Sequence, residues 1–212
     1  MNISGLSQGI GVTVLLAGVT GCATLDSRIA ELDAKPPCCS DMAQFKYEPL
    51  EPGNVEKLQL GADSPAFTFP SGKSYFKAYK IGSAQKMRVR SFRTGSTAFE
   101  TRTLSQIYCP QVTFLTAQHS PIRTEARVPE RATGKLAEGQ FWVTWVAEFE
   151  VPPAAAFAVL HSSKDLYGRM VYITTGGGAY LVGSTVVVDR GGQSIPTPCG
   201  PGGEAEVSLH VR

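Results

Sequence analysis

The stretch that decides the fold is FWVTWVAEFEV, residues 141–151. Apolar side chains occupy every second position from Phe141 to Val151, whereas Thr144, Glu148 and Glu150 point to the opposite side. A two-residue period with one apolar and one polar face is typical of a β-strand in an antiparallel sheet with one buried face. The stretch therefore predicts a half-buried strand.

Further runs of β character lie on both sides of this strand, at residues 73–81, 86–92, 106–115, 157–161, 170–174, 185–188 and 204–211. The chain also contains 22 Gly and 14 Pro in 212 residues, which favours many turns between short strands. Residues 118–139 are polar and contain turn-forming residues, so we place a domain boundary there. We predict an all-β fold of two tandem antiparallel β-sandwich-like domains, with one large sandwich as the alternative.

The predicted division of the chain has four parts. Residues 1–21 form a signal peptide, residues 22–44 a lipidated N-terminus and tether, residues 45–118 the first β domain, and residues 119–212 the second. A short amphipathic helix is expected within the tether, because Leu25, Ile29 and Leu32 recur at helical spacing before Pro36 and Pro37.

The N-terminus carries an export signal. Residues 10–19 are apolar and match the length of a signal-peptide hydrophobic region, but they are too short to cross a bilayer. The following VTGC, residues 19–22, resembles a lipobox, which predicts that Cys22 is lipidated and becomes the mature N-terminus. Several acyl chains, such as palmitate, make such anchoring stable. Ala23 favours the outer membrane, with the protein on its periplasmic side. The alternative is a buried N-terminal strand, because residues 1–9 contain no Lys or Arg.

Export places the other four cysteines in an oxidising compartment, where disulfides form. These disulfide candidates are Cys38, Cys39, Cys109 and Cys199. Three pairings are open, and we expect at least one long-range disulfide. Because neighbouring cysteines bridge only through a strained peptide, we expect Cys38 and Cys39 to bond elsewhere or to stay partly reduced.

No motif indicates catalysis. The GLSQG of residues 5–9 lies within the predicted signal peptide, and the GKS of residues 72–74 lacks the glycine that a phosphate-binding loop needs five positions earlier. His119, His161 and His210 belong to no metal-binding spacing. We predict a non-enzymatic protein without a metal or cofactor; the alternative is a hydrolase whose carboxylates are dispersed in the sequence. The net charge of +2 gives no reason to expect nucleic acid as a partner.

Two surface features are candidates for binding. Residues 73–93 contain seven basic and no acidic residues, and Lys86, Arg88 and Arg90 should share one strand face as a surface for an anionic partner. The alternative is a solvated strip that discourages sheet aggregation. Trp142 lies opposite the apolar face of its strand and could stack on a sugar, although packing in a core is the more common role of an aromatic ring.

Six strings, in order along the chain, resemble the maltose operon periplasmic protein family: PCC (37–39), FKYEPL (45–50), SPAF (64–67), GKSYFKAY (72–79), CPQVTFL (109–115) and GGEAEV (202–207). The similarity extends from about Lys35 to the end of the chain. The resemblance implies a periplasmic all-β accessory protein of carbohydrate uptake, with no catalytic residues. Members of the family need not be lipoproteins, so the anchoring at Cys22 depends on the local motif.

The predicted function is that of an envelope lipoprotein accessory to carbohydrate transport or binding. Its expected partners are the membrane, through the lipid anchor, and a carbohydrate or an envelope protein. The alternative function is a structural docking module for another envelope protein or an anionic surface polymer. That module would use the basic residues of 86–90 and an edge strand at residues 204–211.

Overall fold

A computed structural model of the chain describes residues 24–94, 106–128, 131–137, 140–175, 178–182, 185–189 and 194–211. The helix and the strands of the first half are α1 (Leu25–Ala34), β1 (Tyr47–Leu50), β2 (Val55–Leu60), β3 (Ala66–Phe69), β4 (Gly72–Ile81), β5 (Lys86–Thr94), β6 (Gln106–Tyr108) and β7 (Gln111–Leu115). Those of the second half are β8 (Pro121–Ala126), β9 (Arg131–Ala137), β10 (Gln140–Glu150), β11 (Phe157–His161), β12 (Met170–Thr175), β13 (Gly178–Val182), β14 (Thr185–Asp189), β15 (Ser194–Gly200) and β16 (Gly203–His210). Two single 3₁₀ turns lie at Met42–Gln44 and Lys164–Leu166.

The strands form two large sheets and one hairpin. The six-stranded sheet has the order β1-β4-β11-β7-β8, and β3 also pairs with β4. The eight-stranded sheet has the order β10-β9-β12-β15-β6-β5-β16-β2. An additional pairing of β10 with β5 closes β5, β6, β15, β12, β9 and β10 into a ring. The strands β13 and β14 pair with each other.

The main hydrophobic core lies between the two large sheets. The six-stranded sheet contributes Tyr79, Phe114 and Leu160, and the eight-stranded sheet contributes Met87 and Phe149, all of them fully buried. This arrangement confirms the predicted all-β, sandwich-like fold. Inside the ring of strands lies a second, smaller core.

The six-stranded sheet is apolar on its outer face as well. Phe45, Phe67, Phe69 and Phe76 pack there against Val159, and the rings of Phe45 and Phe76 stack with their centroids 4.1 Å apart. Strand β4 therefore buries side chains on both faces, which explains why aromatic residues occupy consecutive positions in GKSYFKAY. A sheet covered on both faces has continuous hydrophobic runs in place of alternation.

The strand pairing corrects the predicted domain boundary. Strand β4 pairs with β11, and β5 pairs with both β10 and β16, so each large sheet combines strands from both sides of residue 118. The chain forms one interleaved sandwich, the alternative that the sequence left open. The polar segment placed at the boundary contains β8 and β9. Not all pairs are antiparallel: β1 with β4, β9 with β12, and β6 with β15 are parallel.

The segment predicted as a tether packs against the sandwich. Helix α1 inserts Leu32, which is fully buried, into the main core, and Lys73 Nζ donates a hydrogen bond to the Asp33 carbonyl oxygen at 2.8 Å. Farther along, Cys38 N donates to the Ala66 carbonyl oxygen at 2.8 Å. The predicted helix is confirmed, but residues 25–44 are part of the folded body. Among the residues that the structure describes, no helix is long and apolar enough to cross a membrane.

Candidate functional site

The predicted lipidation site, Cys22, lies outside the described residues. The structure begins at Thr24, which caps the N-terminus of α1: its hydroxyl oxygen accepts a hydrogen bond from Ser27 N at 3.3 Å. A side-chain cap of this kind stabilises the first turn of a helix. The described part of the chain therefore begins two residues after Cys22.

Cys109 and Cys199 form a disulfide across the second core. Cys109 directly follows β6, Cys199 lies in β15, and their Cα atoms are 5.5 Å apart. Both are fully buried, next to Val171 and Ile173 of β12. Because 90 positions separate the two cysteines, this bond is the long-range disulfide that we predicted.

Cys38 and Cys39 are joined to each other, so the expectation that they bond elsewhere is wrong. Because Cys109 and Cys199 bond to each other in a different core, no other candidate cysteine remains to pair with Cys38 or Cys39. The linked pair borders a cavity of about 270 Å³, which Phe45 and Phe76 also line. The backbone of this loop is held on β3 by the hydrogen bond from Cys38 N to the Ala66 carbonyl oxygen.

The three basic residues predicted as a surface for an anionic partner lie on β5: Lys86, Arg88 and Arg90. Each forms an ion pair with a glutamate on a neighbouring strand. Arg88 Nη2 lies 2.7 Å from Glu148 Oε1, Lys86 Nζ lies 3.5 Å from both Glu148 and Glu150, and Arg90 Nη1 lies 3.3 Å from Glu206. Three carboxylates thus compensate three cations.

The lowered pKa of Glu148 agrees with this pairing. The hydrogen bond from Arg88 lowers the pKa of the Glu148 carboxyl group below its usual value, and the charges of Arg88 and Lys86 act in the same direction. Glu148 consequently stays ionised at neutral pH. Glutamates of β10 and β16 therefore offset the positive charge of these three residues, and binding of an anionic partner at this face stays a prediction.

The last strand is not an edge. Strand β16 lies between β5 and β2 and pairs antiparallel with both. Its backbone groups are therefore engaged on both sides, and the predicted docking of a partner strand along residues 204–211 is wrong. Strand β2 occupies that end of the sheet order.

Trp142, the candidate for sugar stacking, lies in β10 opposite Lys135 of β9. Its side chain lies outside the part of the chain that the structure describes, so sugar stacking stays a prediction. The predicted apolar face of β10 is confirmed where its side chains are described. Ala147 and Phe149 are buried, and Trp145 packs against both cores.

The three histidines lie apart from one another. His161 is fully buried, its ring stacks on Phe69 at 3.8 Å, and its Nε2 lies 2.9 Å from Thr113 Oγ1. Burial lowers the pKa of His161 to about 4, so the imidazole is neutral at pH 7. His119 stacks on Phe157 beside the turn after β7, and His210 lies at the end of β16. No group of three or more His, Cys, Asp or Glu residues suited to a metal ion exists among the described residues.

A polar cavity that the sequence did not indicate lies beneath α1. We call it the α1 cavity; it has a volume of about 270 Å³, and the residues that line it include Arg28, Glu31, Gln59, Tyr75 and Gln106. These five residues come from α1, β2, β4 and β6. The spacing of Arg28 and Glu31 on one side of a helix was the only local signal, and a solvated helix face gives the same pattern.

Comparisons with known proteins do not identify the chain. None of the protein-family models matches the sequence, and no curated protein matches it at a significant level. The resemblance to the maltose operon periplasmic protein family therefore stays a prediction.

Proposed function

We propose that this chain is a non-enzymatic bacterial lipoprotein, held by acyl chains on Cys22 to the periplasmic face of the outer membrane, and accessory to carbohydrate uptake. The observation that carries the extracytoplasmic part is the buried disulfide between Cys109 and Cys199. Structural disulfides belong mainly to proteins of oxidising compartments such as the periplasm. The apolar stretch of residues 10–19 and the VTGC that follows it support export by the lipoprotein route.

The start of the folded body supports anchoring close to the membrane. Because Thr24 already caps α1 and Leu32 is buried in the main core, no long linker separates an acylated Cys22 from the sandwich. The sandwich would be held near the bilayer surface. Such a position suits a protein that assists the uptake of solutes across the membrane.

The carbohydrate part is supported by the six ordered strings that resemble the maltose operon periplasmic protein family. Five of these strings lie in or beside elements that build the sandwich, including β4, β7 and β16. The resemblance thus concerns the folded body and is independent of the lipobox.

Mass spectrometry of the mature N-terminus tests the anchoring. We expect the native protein to begin at Cys22, to carry a diacylglyceryl group with fatty acids, and to sediment with membranes. The Cys22→Ala variant should not incorporate labelled palmitate, whereas Cys38→Ala, which removes a cysteine of the folded body, should incorporate it normally. A native chain that still begins at Met1 and carries no lipid would refute the proposal.

Uptake measurements test the carbohydrate part. In the native bacterium, deletion of the chain should slow the uptake of labelled maltodextrins, and the wild-type sequence should restore it. Unchanged uptake of every sugar tested would remove this part of the proposal while leaving the anchoring intact.

The alternative function, a docking module, has less support from the two surfaces on which it relied. The basic residues of β5 are paired with glutamates, and β16 lies inside its sheet. The accessory role in carbohydrate uptake is therefore the function that we retain.

A further inference from the structure

A largely apolar strip lies on the outside of the ring of strands, where β12 runs beside β15. Met170 and Tyr172 of β12 are each 51% exposed, and they share one face of the strand because they are two positions apart. Pro198 pairs with Met170, and Pro196 pairs with Tyr172, both prolines being half-buried. Directly opposed residues of antiparallel strands project to the same side of a sheet. These four residues, which we call the β12 strip, therefore form one continuous surface.

The other exposed apolar side chains do not form such a surface. Among the described residues, the remaining large ones are Val55, Ile122, Val146 and Val211, each in a different strand or segment. Apolar side chains that are exposed singly are normal on a folded protein, whereas contiguous ones mark a contact with another protein or with a membrane. The β12 strip is thus the apolar surface that calls for a partner.

The beginning of α1 lies beside this strip. Leu25 Cδ2 lies 3.8 Å from the point that a Cβ atom would occupy at Gly168. Gly168 N donates a hydrogen bond to the Cys199 carbonyl oxygen at 3.0 Å, and Cys199 N donates to the Arg169 carbonyl oxygen at 2.9 Å. Met170 follows Gly168 by two residues, at most about 7 Å along the chain. The first turn of α1 and the β12 strip are therefore at the same end of the sandwich.

The covalent path from this end to the acyl chains is short. Leu25 follows Cys22 by three residues, which span at most about 11 Å when fully extended. The headgroup region of one bilayer leaflet is about 5–8 Å thick. Acyl chains on Cys22 would therefore hold the first turn of α1 against the headgroups, and the β12 strip with it.

Charge contributes little to the attraction at this end. Residues 24–28 and 164–172 contain three basic and two acidic residues, namely Arg28, Lys164, Arg169, Asp26 and Asp165. Electrostatic recognition of anionic lipids takes a cluster of about 4–8 Lys or Arg residues. Apolar contact has to supply the attraction here, and tyrosine is a residue that is enriched where a protein meets the membrane surface.

We propose that the β12 strip lies on the bilayer when Cys22 is acylated, with Met170 and Tyr172 at the boundary between headgroups and acyl chains. The proposal deepens the proposed function and rests on its anchoring at Cys22. The sandwich then has one fixed orientation on the membrane, instead of swinging freely from its lipid.

Hydroxyl-radical footprinting of the mature lipoprotein in phosphatidylcholine vesicles tests this contact. The reference is a lipidated variant with a Gly/Ser linker of about 20 residues between Ala23 and Thr24, which spans ~25 Å on average. We expect Met170 to be oxidised at least about threefold more slowly in the wild-type protein than in this long-linker variant, because the bilayer removes a half-exposed side chain from water. The matched control is Met42, on the outer face of the six-stranded sheet, which should react equally in both.

The same experiment at high salt separates apolar contact from charge. The protection of Met170 should persist in about 1 M salt, which screens interactions between exposed charges. Protection that salt abolishes would show that headgroup charge holds this end, and would overturn the apolar contact.

Two tryptophan variants give a second readout. Tyr172→Trp and Ile122→Trp each add an indole ring at an exposed position, on β12 and on β8. In vesicles that contain brominated phosphatidylcholine, the added fluorescence of Tyr172→Trp should be quenched, whereas that of Ile122→Trp should not. Trp142 and Trp145 give the same background in both variants. Equal quenching would contradict the proposed orientation.

Flotation of the vesicles separates this inference from the proposed function. If the wild-type protein floats with the vesicles but Met170 reacts as fast as in the long-linker variant, the β12 strip does not lie on the bilayer, and the anchoring stands. If the native chain carries no lipid and does not float, the anchoring is refuted together with the inference.

Discussion

Removal of the disulfide between Cys109 and Cys199 should strongly destabilise the sandwich. The bond closes a loop across 90 positions, and a loop of this length restricts the unfolded chain by about 4–5 kcal/mol at 25 °C in the chain-entropy model. The double variant Cys109→Ala/Cys199→Ala should therefore lose about that free energy of unfolding. For a protein of this size the corresponding fall in melting temperature is roughly 8–20 °C.

Chemical denaturation of the oxidised proteins, followed by tryptophan fluorescence, measures this loss. The matched control is Cys38→Ala/Cys39→Ala, which also removes two cysteines but opens no loop, because the bonded residues are neighbours. We expect the control to lower the free energy of unfolding by only about 1–2 kcal/mol, the usual cost of substitutions at partly buried positions, since Cys39 packs at the margin of the outer apolar face. Equal denaturation midpoints for the two double variants would show that the long loop is not the source of the stability.

Two further predictions concern ionisable groups. Because burial keeps His161 neutral with a pKa of about 4, whereas an unfolded histidine takes up a proton near pH 6.5, stability should fall by about 3 kcal/mol as the pH drops from 6.5 to 4. Denaturation at several pH values should show a shallower fall for His161→Gln, and parallel curves would contradict the reasoning. Glu148→Gln should cost less than about 1 kcal/mol, since its ion pairs are partly exposed, and the cost should shrink in 1 M salt. The Glu148 contribution is present above pH 4.5 and is lost as the pH falls through its lowered pKa in the folded protein; a cost that is independent of salt would argue against an electrostatic origin.

Local hydrophobic patterns predicted individual strands well. The predicted strand at residues 157–161 coincides with β11, and that at residues 86–92 lies within β5. The reason is that each of these strands presents its own buried side chains, so its pattern can be recognised without its neighbours. Strand β8 was missed because it is largely exposed and polar, and therefore has no apolar face to recognise.

The arrangement of the strands depended on distant contacts. Nothing within residues 73–93 indicates that Glu148 and Glu206 lie beside Arg88 and Arg90, since those partners are 60 and 116 positions away. The same holds for the α1 cavity, whose walls join Arg28 of α1 to Gln106 of β6. Charge patterns along one segment predict a strand face, but its net potential is set by the strands on either side.

The central position of β16 has a consequence for how the protein is made. Strand β16 ends at His210, yet β2, from the beginning of the fold, can join the eight-stranded sheet only through it. A nascent chain therefore lacks the strand that connects β2 to the sheet, and β2 and β5 stay unjoined until β16 has been synthesised. Under the export route that we propose, this delay favours translocation of the chain before the eight-stranded sheet is complete.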